Sequence, residues 1–148
     1  MRTEKPKLYV GCALTEAPED FRNNVEILKE ALDTDWQVLK FLGLVGGTNA
    51  DVYTQDLGNV RECDAFLAIT DYPSTGLGIE LREAGTLAKP TLITQRLNTR
   101  VTRMVLGAAE LEPSFNFSTY ENMQADIPDM VRLGFAHILS TPYQDAVR

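Results

Sequence analysis

One stretch of the chain combines residue types that can hold an anion and attack a carbon: Pro73-Ser-Thr-Gly-Leu-Gly-Ile-Glu80. It follows an apolar run and opens a helix-like one. Glycines let the backbone approach a ligand closely, a helix N-terminus offers free N–H groups and the positive end of a dipole, and Ser74 adds a hydroxyl. Together these suit a phosphate, with Gly76 and Gly78 at the turn. Glu80 falls in the predicted first turn, where the same dipole favours its ionised form. An ionised carboxylate in a cleft can be a nucleophile or a base. The same residues also read as a helix cap and a charge on a first turn. Gly76-x-Gly78 is too short for a dinucleotide fingerprint, and no Gly-Lys-Ser/Thr follows to make a P-loop.

Other candidates are weaker one at a time. Asp56 lies within Tyr53-Thr-Gln-Asp-Leu-Gly-Asn-Val60, a predicted helix that follows a glycine-rich loop over Gly43–Gly47. Its first half can face a cleft, although a lone Asp there reads as a solvated charge. Asp64 precedes a strand, at the wrong end of a sheet for a site, and reads as structural. Tyr9 alternates into the first strand and reads as core. Arg100, Thr102 and Arg103 gather near a helix start, as an anion clamp or a solvated face. Cys12 and Cys63 sit in apolar elements without His neighbours. They form neither a disulfide framework nor a zinc site, and they read as free thiols in a reducing cytoplasm. His137 is the one histidine. That rules out a His-rich metal site and leaves the chemistry to carboxylates.

The elements that must position these groups follow from periodicity. Lys7–Leu14 is a short apolar run, read as a buried strand. Phe21, Val25, Leu28 and Leu32 recur at helical spacing, giving a helix from about Pro18, suited to a first helical position, to Asp33. Trp36–Leu42 reads as the second strand. Asn49 or Asp51 can cap a helix running to about Glu62. Ala65–Thr70 is almost wholly apolar, as in a strand covered on both faces. A helix from about Gly76 to Ala88, a strand over Pro90–Thr94, a helix over Asn98–Ala109 and a brief strand over Phe115–Phe117 follow. The last helix spans Tyr120 to about Leu139, with a break or restart at Pro128.

Strands alternating with helices predict a single α/β domain, a three-layer sandwich with a five-stranded parallel sheet of flavodoxin-like or Rossmann-like type. Ligands in such folds bind outside the carboxyl ends of the strands. Those ends carry Gly11–Thr15, Phe41–Asn49, Thr70–Gly78 and Thr94–Asn98.

The chain has 148 residues, 44% hydrophobic and 24% charged, in the ordinary range for a globular domain. Its formal charge is −7, from 21 acids against 14 bases. That argues against a nucleic-acid polymer or an anionic membrane as partner, but not against one small anion. No apolar run approaches the ~20 residues of a membrane span, and Met1–Lys7 does not read as a secretory signal. The expected location is cytoplasmic.

Tyr9 in the first strand, Asp56 ahead of Val60-Arg-Glu-Cys-Asp64, Cys63-Asp-Ala-Phe-Leu-Ala-Ile-Thr, Pro73–Glu80 and Ala84…Lys89-Pro90 together resemble the nucleoside 2-deoxyribosyltransferase family. The branch they resemble is the 2′-deoxynucleoside 5′-phosphate N-hydrolases. The resemblance covers about residues 7–107. It implies a flavodoxin-like sandwich that assembles as a homodimer or higher oligomer, with active sites shared between subunits and no metal or organic cofactor. It implies that Glu80 is the nucleophile at the anomeric carbon, that Asp56 meets the departing base and that Tyr9 orients Glu80. Six residues before the nucleophile, transferases of free nucleosides carry Asp and the phosphate-requiring hydrolases carry Ser, which is Ser74 here. A carboxylate there would repel a 5′-phosphate, whereas a hydroxyl would bind it. Thr102, ahead of Gly107-Ala108, matches the hydroxyl that a neighbouring subunit supplies, and Arg103 beside it adds charge. The chain departs from the family after the first strand. There Gly11-Cys12-Ala13 lacks a hydroxyl at Ala13, which Thr15 could replace. The base-facing residues around Phe41–Asn49 follow no legible pattern.

The expected activity is therefore hydrolysis of the base–sugar bond of a (deoxy)nucleoside 5′-monophosphate through a covalent glycosyl-Glu80 intermediate. The binding residues would be Gly11, Ser74, Gly76, Gly78, Thr102 and Arg103. Base exchange between nucleosides, hydrolysis of ribonucleotides such as CMP, and a non-catalytic nucleotide-binding module are the alternatives.

Overall fold

The computed structural model describes residues 2–141. Its elements run β1 (Lys7–Cys12), α1 (Glu19–Leu32), β2 (Gln37–Val38), α2 (Asn49–Glu62), β3 (Ala65–Ile69), α3 (Thr75–Thr86), β4 (Thr91–Arg96), α4 (Arg103–Leu111), β5 (Phe115–Tyr120), α5 (Met123–Gly134) and α6 (Ala136–Leu139). The five strands form one sheet in the order β2-β1-β3-β4-β5, parallel at every pairing. This is the expected α/β sandwich, in flavodoxin-like order.

Side-chain alternation along the strands divides the core in two. Leu8 and Val10 of β1 and Leu67 and Ile69 of β3 pack with Phe21, Val25, Leu28 and Leu32 of α1 and Ile127 and Val131 of α5. Tyr9 of β1 and Phe66 and Ala68 of β3 face the other way. They pack with Val60 of α2, Leu77, Leu81 and Ala84 of α3 and Ile93 of β4. Every β3 residue is buried, as a strand covered on both faces must be. Burial of each large aliphatic chain contributes about 1.5–3 kcal/mol, so a Leu28→Ala cavity would cost about 2–5 kcal/mol.

Several boundaries depart from the periodicity reading. The second strand is only Gln37–Val38. As an edge strand it pairs with β1 over Lys7 and Leu8. Leu39 N–H then donates to Leu8 O (2.9 Å), and Asn59 Nδ2 of α2 takes Lys40 O (2.9 Å), which draws the chain off the edge. Pro18 is the N-cap of α1 rather than its first residue. Neither Asn49 nor Asp51 caps α2. Thr48 does, in a reciprocal box with Asp51. The fourth helix starts at Arg103 instead of Asn98, because Asn98 is in the left-handed region (φ 67°) and Thr102 Oγ1 accepts from Val105 N–H (3.3 Å). The fourth and fifth strands run on to Arg96 and Tyr120. Pro128 breaks nothing: it sits inside α5 between the wholly buried Ile127 and Val131, and the restart comes at Phe135. Packing of that stripe outweighs the one backbone bond that proline forgoes.

From β1 the chain crosses to β2 on one side, and later crossovers go to β3, β4 and β5 on the other. The switch in direction leaves a crevice beyond the carboxyl ends of β1 and β3, where such sheets bind ligands.

Candidate active site

A cleft of about 450 Å³ occupies that crevice. The end of β1 and the segment after it line one wall with Cys12, Ala13, Thr15 and neighbours, and the turn from β3 into α3 supplies Pro73 to Leu77. Gly43, Leu44, Val52 and Asp56 close it from the side of α2, and Glu80 forms its floor.

Glu80 lies in the second turn of α3, not in the first as its distance from Gly76 suggests. It shares the helix's buried stripe with Leu77, Leu81 and Ala84 and is only 8% exposed. Burial, rather than the helix dipole, governs its titration. The carboxyl is pushed up to about 8, mainly by desolvation and further by the nearby Asp56 charge, while hydrogen bonding from Tyr9 opposes the rise. Its Oε2 is buried and has no hydrogen-bond partner among the described residues. Asp56 lies one helical turn before the buried Val60 on α2. It is half-buried, with Oδ1 also lacking a partner, and desolvation raises its carboxyl while the Lys29 charge opposes. Buried acceptors without donors are rare in folded proteins and each calls for an explanation, a catalytic role being one.

Tyr9 does not line the cleft. It is 2% exposed, stacked on Phe66 (centroids 5.3 Å apart), and acts on Glu80 from behind. Burial and both carboxylates hold its phenol well above the ordinary range, so it is a donor only. Gly11 also lies beneath the carboxylate rather than in the cleft. A Cβ there would stand 2.9 Å from Glu80 Oε2, 2.8 Å from Phe66 Cε2 and 3.0 Å from Leu77 Cδ1.

Ser74 is the N-cap of α3, with Oγ accepting from Leu77 N–H (3.1 Å), and it lines the cleft as well. Gly78 N–H is taken by Ser74 O (3.2 Å). The N–H groups of Thr75 and Gly76, one and two residues past the cap, have no acceptor within the helix. Gly76 lines the cleft, whereas Gly78 lies on the far side of α3, in a groove shared with Arg103, Met104 and Gly107 of α4. Thr102 is exposed and caps α4, and Arg103 begins that helix; neither lines the cleft of its own chain. Asp64 is structural, accepting from Lys7 N–H (2.7 Å) at the start of β1. Cys12 and Cys63 are free thiols, pushed up to about 12 and about 11 by burial. His137 is exposed on α6.

Lys29 belongs to no motif legible in the sequence. It occupies the buried stripe of α1, four residues after Val25, and is 8% exposed. A lysine at an apolar-stripe position was the available signal. Its Nζ lies 3.6 Å from the centroid of the Phe41 ring and donates to Glu26 Oε1 (3.1 Å). Among the described residues, no group of three or more His, Cys, Asp or Glu is placed to hold a metal, and no helix is long and apolar enough to cross a membrane.

The sheet order, with helices on both faces and a carboxylate cleft at the switch point, defines an α/β protein of flavodoxin-like architecture, and the solved structures it matches are deoxyribosyltransferase-like. Similarity to known proteins agrees. The CMP N-glycosidase BcmB of Clostridium botulinum superimposes with TM-score 0.68 at 18% identity, over 86% of this chain and 98% of that one. A 2-deoxyribosyltransferase from Bacillus psychrosaccharolyticus does so with TM-score 0.60 at 18% identity, over 93% and 99%. In sequence, 60 residues are 37% identical to a protein of Methanosarcina mazei named "Putative 2′-deoxynucleoside 5′-phosphate N-hydrolase 1". That match spans 40% of this chain and 37% of the relative's length. No family model matches the chain. The partial sequence match and the shared fold support the resemblance to the nucleoside 2-deoxyribosyltransferase family.

Proposed function

We propose that this protein is an N-glycosidase that hydrolyses nucleoside 5′-monophosphates, deoxynucleotides in particular. One observation carries the reading: two carboxylates, Glu80 and Asp56, share a single cleft at the sheet's switch point, each with a buried oxygen that has no partner among the described residues.

In this reading Glu80 in its ionised form attacks C1′. The C1′–O bond forms as the C1′–N bond breaks, and the electron pair leaves with the base. Asp56 hydrogen-bonds the departing base and favours its release. Water then attacks C1′ as the C1′–O bond to Glu80 breaks and frees the carboxylate, the proton the water loses goes to the departed base, and sugar 5-phosphate and neutral base result. A carboxylate nucleophile divides one hard displacement into two easier ones, as in retaining glycosidases. Tyr9 is the positioning residue, donating to Glu80 from beneath. The 5′-phosphate would lie at the N-terminus of α3, met by the N–H groups of Thr75 and Gly76 and by the hydroxyls of Ser74 and Thr15.

Thr102 and Arg103 enter this reading through a second copy of the chain. They sit at the start of α4, whose Met104 and Leu111 are 85% and 82% exposed beside the α3 groove. A homodimer packed on that face would bring one subunit's Thr102 and Arg103 toward the phosphate of its partner. Two free thiols fit a reducing, cytoplasmic setting.

The test is release of free base from ribo- and deoxynucleoside 5′-monophosphates and from the matching nucleosides, with and without a second base. Release from deoxynucleotides that Glu80→Ala abolishes while the fold persists is the expected outcome. Base exchange on nucleosides would make the protein a transferase. Tight nucleotide binding without base release would make it a binding module.

A further inference from the structure

Early termination of β2 has a chemical consequence. Beyond Val38 the chain leaves the sheet edge, and a second cavity of about 650 Å³ opens there between α1 and the segment 38–43. It is lined by Lys29, Phe41, Lys40 and Gly43, with Glu26, Glu30 and Asp33 at its rim. Gly43 also lines the catalytic cleft, so the two cavities adjoin at that residue. Lys29 springs from the opposite face of the sheet to Glu80, yet its charge acts on both Cys12 and Asp56 in the cleft.

The Lys29 ammonium is nearly buried, and Glu26 Oε1 is its one hydrogen-bond acceptor among the described residues. An ammonium has three donors and no acceptor, so it rewards a carbonyl oxygen and gains nothing from an amino group. The Phe41 ring beneath it supplies an apolar face beside the donor, the combination that recognises a flat heterocycle. The charges at the two ends of the combined space differ in kind. Three carboxylates line each end, Glu26, Glu30 and Asp33 at one and Glu16, Asp56 and Glu80 at the other, but the Lys29 end adds the ammonium groups of Lys29 and Lys40, and the other end adds the free N–H groups at the start of α3. With the 5′-phosphate on the start of α3, as in the reading above, the base extends toward Gly43 and Lys29.

We infer that Lys29, held over Phe41 in the opening left by the short β2, selects the base by donating to a carbonyl on its edge remote from the glycosidic bond, so that 6-oxopurine and 4-oxopyrimidine nucleotides are preferred over their amino counterparts. This rests on the N-glycosidase reading of the cleft.

The experiment measures kcat/KM for dGMP, dAMP, dUMP and dCMP with the intact protein and with Lys29→Met, Lys29→Arg and Phe41→Leu, each variant checked for a cooperative thermal transition. The intact protein is expected to favour each oxo base over its amino partner by about tenfold or more, the scale of one well-made hydrogen bond to a charged donor. Lys29→Met is expected to bring both ratios toward one, and Lys29→Arg to retain them. Phe41→Leu, which leaves the donor in place, is expected to raise KM for all four while keeping the ratios. Base release without an oxo preference in the intact protein, or ratios unmoved in Lys29→Met, overturns the inference alone. Absence of base release from all four overturns the N-glycosidase reading and this inference with it.

Discussion

A Cβ at position 11 would stand 2.9 Å from Glu80 Oε2, closer than real Cβ atoms come to such a neighbour. Gly11 lies in β1, paired with Ala68 of β3, so its backbone cannot withdraw without disturbing the centre of the sheet. The missing side chain is the space in which the Glu80 carboxylate rests. The same hypothetical atom meets Phe66 and Leu77, which border Glu80 on the sheet and on the helix.

Gly11→Ala is therefore expected to displace Glu80 and to strain the core by about 1–3 kcal/mol. Base release should fall by about 10²-fold, since displacement of a reacting group by about 1 Å has that scale. Thermal melting and steady-state kinetics on the same sample check both. An alanine variant as active as the parent would show that Glu80 need not occupy this seat.

The stability of the protein should depend on Glu80 ionisation. The folded-state carboxyl titrates near 8, against an ordinary value of 4.5. Below about pH 4.5 both folded and unfolded chains hold the proton, and this residue contributes no pH dependence. Between 4.5 and 8 the unfolded chain binds fewer protons, so stability falls as pH rises, by up to about 1.4 kcal/mol per pH unit. Above 8 the loss is complete. Glu80→Gln, which never ionises, is expected to remain more stable than the parent by a few kcal/mol, roughly, at pH 8 and to match it near pH 4. Denaturant titrations at the two pH values measure this, and equal slopes with pH in both proteins would refute it.

Catalysis should show the opposite trend. If the ionised form of Glu80 attacks C1′, kcat/KM rises with pH through an apparent value near 8 and levels off above it. A profile of base release from a monophosphate between pH 5 and 9.5 reads this directly. Full activity at pH 5.5 would remove Glu80 from the nucleophile's role.

Asp56→Asn keeps the shape and a hydrogen-bonding group but removes the charge and the acid–base capacity. A loss of about 10²–10⁴-fold in kcat is expected, largest for poor leaving bases. The same substitution relieves Glu80 of a neighbouring negative charge, so the rising limb of the residual activity should move to lower pH. An unmoved limb would show that the two carboxylates do not act on each other.

Thr102→Val should raise KM for the monophosphate without lowering kcat to the same degree, and Met104→Glu should shift the protein to a monomer by size-exclusion chromatography. Charge introduced on an apolar face opposes burial there. A fully active monomer would confine the site to one subunit.

Much of this arrangement is legible from residue order. Apolar runs separated by helical periods give the parallel α/β sandwich, and Ser74, Gly76 and Glu80 can be placed at a strand-to-helix turn because small residues and a cap residue have local reasons to be there. Local rules did less well where contacts at a distance decide. β2 looks like seven residues and is two, since an edge strand lasts only while its neighbour pairs with it. Pro128 looks like a break and is not, since Ile127 and Val131 hold α5 against the core.

By itself, the sequence determined the order of the elements, the reliance on carboxylates in a chain with one histidine, and the turn that carries Ser74 and Glu80. Only the tertiary structure decided that Glu80 is buried over Gly11 with its carboxyl raised instead of favoured by the helix end. It alone placed Asp56 in the same cleft and brought Lys29 around a shortened strand to adjoin it. The physical reason is that a carboxylate's proton affinity depends on the water and charge around it, and for Glu80 those surroundings come from segments distant along the chain, Tyr9 and Gly11 of β1 and Asp56 of α2.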